Sequence, residues 1–127
     1  MNLNVHYRNV IRASKRMREK LDCSIVAIAM LTGCRYGVAW GTLKRLGRKD
    51  RHRTPNGVTE KAFPVLGFCL EKIDIRSLTI DQLRDELPEG RFLVFTSGHA
   101  LALVDGCDYD NRTGQKRVKR TFRVTEV

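Results

Sequence analysis

Cys23 stands between an aspartate and a serine, Asp22-Cys23-Ser24, directly before the apolar run from Ile25 to Leu31. A thiol at that point falls in the first turn of a helix, where backbone N–H groups lack intrahelical partners and the helix dipole is positive. Both effects favour the thiolate, the nucleophilic form of cysteine. The backbone N–H of Cys23 is also placed to stabilise an oxyanion, with Asp22 and Ser24 as supporting neighbours. A thiol nucleophile needs a base, and the base needs an orienting group. Among the histidines, His6 and His52 lie in polar, basic stretches and are expected at the surface. His99 follows a glycine and opens the apolar run HALALV, so it is the candidate base.

Strand register supplies the candidate for the third member. Asp105-Gly106 is a strong two-residue hairpin signal. With that turn, Val104 faces Cys107, Leu103 faces Asp108, Leu101 faces Asp110 and His99 faces Arg112. Side chains alternate along a strand, so His99 shares a face with Asp108, Asp110 and Arg112. Asp110 is then the diagonal neighbour of His99, within reach of its imidazole. Asp105 competes, but turn chemistry already accounts for it, and Asp108 lies farther along the strand. Each residue alone has an ordinary reading: core filler for the cysteine, a structural histidine, a turn aspartate. The combination is more specific than its parts.

The elements that must position these residues can be outlined from pattern. Tyr7 to Lys20 reads as a basic helix with a thin apolar side of Val10, Ile11, Ala13 and Met17. Asp22 is a favourable N-cap for the next helix, which is apolar on every face and therefore buried all round. Gly33 suits the left-handed position that ends it. Tyr36, Trp40, Leu43 and Leu46 recur at helical spacing. Gly47 to Gly57 is a basic loop with a Pro55-Asn56-Gly57 turn, followed by a short helix over Val58 to Leu66 and a strand over Phe68 to Ile73. Thr79 with Gln82 forms a capping box for a helix reaching Leu87. Strands are expected over Arg91–Thr96, His99–Val104, Cys107–Asn111 and Lys116–Val124, the last one exposed. The class is α+β, with N-terminal helices, including the buried Cys-bearing helix, packed on a C-terminal antiparallel sheet. A single domain over 1–127 is expected, with the basic N-terminal helix (about residues 6–20) and the basic C-terminal strand (about 116–125) as peripheral additions.

Composition narrows the function classes. No apolar run approaches the ~20 residues of a membrane span, and the N-terminal segment lacks the apolar region of a secretory signal. A cytoplasmic protein is expected. Cys23, Cys34, Cys69 and Cys107 form no CxxC pair, which argues against a zinc ribbon, a redox motif or a disulfide framework; no metal or cofactor is expected. The 24 Lys and Arg residues against 14 acids give a formal charge of +10. Six basic residues fall in Arg8–Lys20, six in Lys44–Arg53 and five in Lys116–Arg123. Such clustering favours association with nucleic acid, an anionic membrane or an acidic protein, the ordinary alternative being a solvated basic surface. The candidate contacts are Arg12, Arg16, Lys44, Arg45, Arg48, Lys49, Arg51 and Arg53. The basic clusters are not interleaved with stacking aromatics, which disfavours a pure nucleic-acid-binding domain.

The segments DCSIVAIAMLTGCRYGVAWGTLKRLG and LPEGRFLVFTSGHALALVDGCDYDN resemble small phage-type papain-fold proteins related to the bacteriocin-leader peptidases. The matching positions are Asp22, Cys23, Ala27, Ile28, Ala29, Thr32, Gly33 and Tyr36, then Pro88, Gly90, Gly98, His99, Asp105, Gly106 and Asp110, so the resemblance covers roughly Asp22 to Asn111. It implies a papain-like fold and a Cys23–His99–Asp110 triad acting on a protein or peptide, in the host cytoplasm if the chain is phage-encoded. One departure stands out: papain-like peptidases place a glutamine a few residues before the cysteine to complete the oxyanion hole. Here Met17 precedes Cys23 by six residues, and no Gln or Asn lies between Arg12 and Asp22. The expected function is therefore a cysteine hydrolase working by acyl transfer. The alternative is a catalytically weak or inactive papain-like scaffold that binds an acidic host protein or nucleic acid through its basic face.

Overall fold

A computed structural model describes residues 2–109 and 116–127. Helix α1 (Leu3–Arg16) begins at Asn2, whose side-chain oxygen accepts from the amides of Asn4 and Val5. This is the expected basic helix, starting earlier and ending at Met17. It presents Val10 to the core, with Tyr7, Ile11, Ala13 and Met17 half-buried beside it.

Helix α2 (Cys23–Thr32) is buried from Ser24 to Leu31, as its all-round apolar sequence requires. Gly33 ends it with φ +78°, the left-handed conformation in which its N–H reaches the Ala29 carbonyl. Helices α3 (Tyr36–Arg45) and α4 (Asn56–Val65) pack beside it. The Pro55-Asn56-Gly57 sequence begins α4 instead of making an isolated turn: Pro55 takes the N-cap position at φ −56°, ψ 141°. Strand β1 (Phe68–Ile73) follows, then α5 (Ile80–Glu86), which carries the capping box in full between Thr79 and Gln82.

Strands β2 (Arg91–Thr96), β3 (His99–Val104), β4 (Cys107–Tyr109) and β5 (Val118–Glu126) complete an antiparallel sheet of order β1-β5-β2-β3-β4. The protein is thus α+β, with four of its five described helices ahead of the first strand. Both faces of the sheet are covered. Leu93, Phe95, Ala100, Ala102 and Val104 meet the α1–α4 layer, while Phe92, Val94, Leu101 and Leu103 meet Ile80 and Leu83 of α5. This two-sided burial explains why β2 and β3 read as continuous apolar runs. Alanines at 100 and 102 keep the sheet surface low where α2 lies across β3.

The β5 strand corrects an expectation. It is not an exposed addition but lies between β1 and β2, paired along both edges, with Val118, Thr121, Phe122 and Val124 buried. Its positive charge hid this. Arg120 stacks over Phe95 at 5.0 Å and pairs with Glu60, and Arg123 lies over Phe92 at 5.6 Å. Long basic side chains lay their stems on apolar surface while their heads reach solvent.

Candidate active site

Cys23 is the first residue of α2, half-buried, and the Ala100 N–H of β3 points at its Sγ from 3.4 Å. His99 is the first residue of β3, opposite Thr96 across the two-residue turn Ser97-Gly98. Gly98 takes φ +70°, which a residue with a side chain rarely adopts. Cys23 and His99 line the same cleft, about 520 Å³ in volume, floored by Tyr7 and Ser14 of α1 and by Asp22. A smaller hollow of about 260 Å³ touches Cys23 and His99 too, and is walled by Ser24, Arg53, Thr54 and Asn56.

The α2 N-terminus is held from the side. Asp22 occupies the N-cap position but makes no side-chain cap, a correction to the expected role. Its backbone (φ −105°, ψ 24°) is outside the extended region typical of a cap. Its Oδ2 instead accepts from Ser14 Oγ at 2.6 Å and Tyr36 OH at 2.7 Å. One carboxylate therefore ties the start of α2 to α1 and α3. Burial, and then the adjacent Asp22 carboxylate, push the Tyr36 phenol far up, so it remains a donor. The first-turn amides of α2 are left without the Asp22 acceptor, which preserves their positive field for the thiol beside them. Ser24 is buried, and its Oγ accepts from Thr59 Oγ1 at 2.9 Å. Its role is to brace α2 against α4.

The hairpin register has Val104 opposite Cys107, Leu103 opposite Asp108 and Ala102 opposite Tyr109. Asp110, the expected orienting group, lies outside the described residues. Each of the two competing aspartates has another partner. Asp108 accepts from Arg84 Nη1 at 2.6 Å, and Asp105 Oδ1 accepts the Gly90 N–H at 2.8 Å.

The basic candidates separate into several environments. Arg48 is a correction: it is buried against Glu19, with Nη2 donating to Oε1 at 3.0 Å and both side chains no more than 3% exposed. Glu19 also accepts from Trp40 Nε1 at 2.8 Å and from the Arg51 N–H at 3.0 Å. Burial raises the Glu19 carboxyl, but bonds from Arg48, Trp40 and Arg51 outweigh it and hold it down at about 2. Lys44 stacks on Trp40 at 4.7 Å and reaches Asp50 at 3.5 Å. The Arg51 guanidinium donates to the Arg18 carbonyl, and Arg45 donates to Thr42 Oγ1. Arg12, Arg16 and Lys49 are exposed. Arg53 belongs to the cleft, where its guanidinium covers Gly98. His6 also departs from expectation: its Nε2 lies 3.0 Å from the Ala29 carbonyl of α2.

Sequence reasoning missed Ser14 and Tyr36 as anchors of Asp22, and missed Arg53, Thr54 and Asn56 as cleft walls. Only Arg53 carried a signal, its charge, and that signal did not separate it from the other basic residues. Comparison of the chain with models of known families, with curated proteins and with solved structures gives no match. Among the described residues, no three His, Cys, Asp or Glu side chains gather as a metal site. Among the same residues, no single helix is long and apolar enough to cross a membrane.

Proposed function

We propose that this protein is a papain-like cysteine hydrolase using Cys23 as nucleophile and His99 as base. The observation that carries the reading is the meeting of Cys23, at the head of a buried helix, with His99, at the head of a sheet strand, in one cleft. The sequence resemblance to phage-type papain-fold proteins supports it. In the reaction, His99 takes the Cys23 proton and the thiolate attacks an amide carbonyl. The tetrahedral oxyanion faces the α2 first-turn amides. The C–N bond breaks, and the leaving amine takes the proton from His99. Water then adds to the thioester, giving its proton to His99, and the C–S bond breaks to release the acid and the thiol. Asp110 is assigned as the orienting group from the hairpin pattern of the sequence alone. The substrate is a host or phage protein in the host cytoplasm.

An activated aryl ester tests acyl transfer. A transient acyl adduct is expected on Cys23, lost in Cys23→Ala and slowed in His99→Ala. Acylation spread evenly over Cys23, Cys69 and Cys107 would contradict the proposal.

The missing oxyanion glutamine favours a second reading, in which the fold is a non-catalytic scaffold. Exposed Arg12, Arg16 and Lys49 would then grip an acidic protein or nucleic acid. That reading expects salt-dependent binding that survives Cys23→Ala.

A further inference from the structure

The smaller hollow beside Cys23 has a one-sided chemistry. Its walls include the Arg53 guanidinium, the Thr54 and Ser24 hydroxyls and the Asn56 amide, and among the described residues no carboxylate. Arg53 is exposed, and among the described residues it makes no hydrogen bond or ion pair. Its guanidinium is thus open to an incoming anion, whereas Asp22, the carboxylate of the neighbouring cleft, is tied to Ser14 and Tyr36. Thr54 is 9% exposed, yet its Oγ1 has no hydrogen-bond partner among the described residues. An unsatisfied buried hydroxyl is costly unless a ligand supplies the partner.

The Arg53 guanidinium also lies close against the turn before His99. A Cβ at position 98 would fall 2.5 Å from Arg53 Nη1. The guanidinium therefore lies on the backbone of the turn that delivers His99, where only glycine leaves room for it.

We propose that this hollow is a specificity subsite for a substrate carboxylate, bound by Arg53 with Thr54 and Asn56, next to the carbonyl that Cys23 attacks. The inference rests on the hydrolase reading and adds the substrate class. A planar guanidinium matches a carboxylate with two parallel bonds, and the hydroxyl and amide supply further donors to the same group. A single cation in a hollow of about 260 Å³ suits a compact monoanion. The carboxylate comes either from an acidic side chain or from the C-terminus of a peptide.

Paired alkylating agents test this without a known substrate. Iodoacetate and iodoacetamide differ mainly in charge, and each thiolate displaces iodide from either one. The rate ratio of iodoacetate to iodoacetamide is read at each cysteine by mass spectrometry. At Cys23 the ratio is expected to exceed that at exposed Cys69 and Cys107 several-fold. Arg53→Gln is expected to lower it several-fold and Thr54→Val to lower it less. Lys61→Gln, which removes the same charge from exposed α4 surface, is expected to leave it high. A ratio at Cys23 equal to the other thiols, or one that survives Arg53→Gln, would overturn the proposal while leaving the Cys23–His99 site standing. Cys23 sluggish towards both reagents would overturn the hydrolase reading and this inference together. Protection of Cys23 by N-acetylaspartate amide identifies a side-chain carboxylate, and protection by N-acetylglycine a terminal one. Protection by neither counts against the subsite.

Discussion

The Asp22 carboxylate accepts from Ser14 and Tyr36 rather than from its own helix, and Cys23 is the next residue along. Tyr36→Phe removes one of those bonds from a buried phenol, at a cost of about 1 kcal/mol in denaturant unfolding. It should also slow Cys23 alkylation, because the start of α2 loses a lateral anchor; an unchanged rate would detach Asp22 from the site. Cys23 and His99 were legible as candidates because each borders an apolar run, where a chemically distinct residue stands out. Their pairing followed from the need of a thiol for a base, whereas their meeting in one cleft depends on how α2 packs across β3, a contact between segments distant in sequence. Arg53 was visible as a charge, but its place over Gly98 depends on how the Gly47–Gly57 segment folds back, which no local pattern encodes.

At the scale of elements, the basic segment after α3 is an anchor as much as a surface. Glu19, in the α1–α2 connection, gathers Trp40, Arg48 and the Arg51 amide. Its carboxyl, ordinarily at 4.5, is held at about 2 in the folded protein. A depressed carboxylate contributes stability that is fully present above its unfolded value and lost as pH falls towards the folded one. The Glu19 contribution, roughly 3 kcal/mol at most, should therefore fade between about pH 4.5 and pH 2. Glu19→Gln should cost about 3 kcal/mol at neutral pH, because it leaves Arg48 buried without its counter-charge. It should also flatten acid unfolding over that range; a variant that unfolds in acid like the wild type would contradict the assignment. Helix α5 was fully legible from its capping box, and α2 from its apolar run and Gly33. The Glu19–Arg48 pair was not, because the partners are far apart in sequence and each looks like ordinary surface charge.

For the whole molecule, β5 closes the sheet. It bridges β1 and β2, so the core depends on a strand whose composition suggested a basic appendage. Phe122, 7% exposed and edge-on to Phe95 at 6.1 Å, joins Val124 in the core on the helical side of the sheet. Phe122→Ala should cost about 3–5 kcal/mol in denaturant unfolding, whereas a peripheral strand would lose less than about 1 kcal/mol. The α+β class and the local β3–β4 register were readable because they depend on neighbouring residues. The insertion of β5 between strands of much earlier and later sequence is a non-local choice, and alternation alone does not specify it.

The most direct measurement is the alkylation rate of each cysteine by iodoacetamide at neutral pH, in the wild type and in His99→Ala. Cys34 serves as a slow reference, because burial pushes its thiol up and keeps it protonated, and Cys69 and Cys107 serve as exposed references. The expected result is that Cys23, although only half-exposed, reacts about tenfold faster than Cys69 and Cys107, and that His99→Ala removes this advantage. Cys23 reacting no faster than the exposed thiols, with no response to His99→Ala, would contradict a Cys23–His99 catalytic pair.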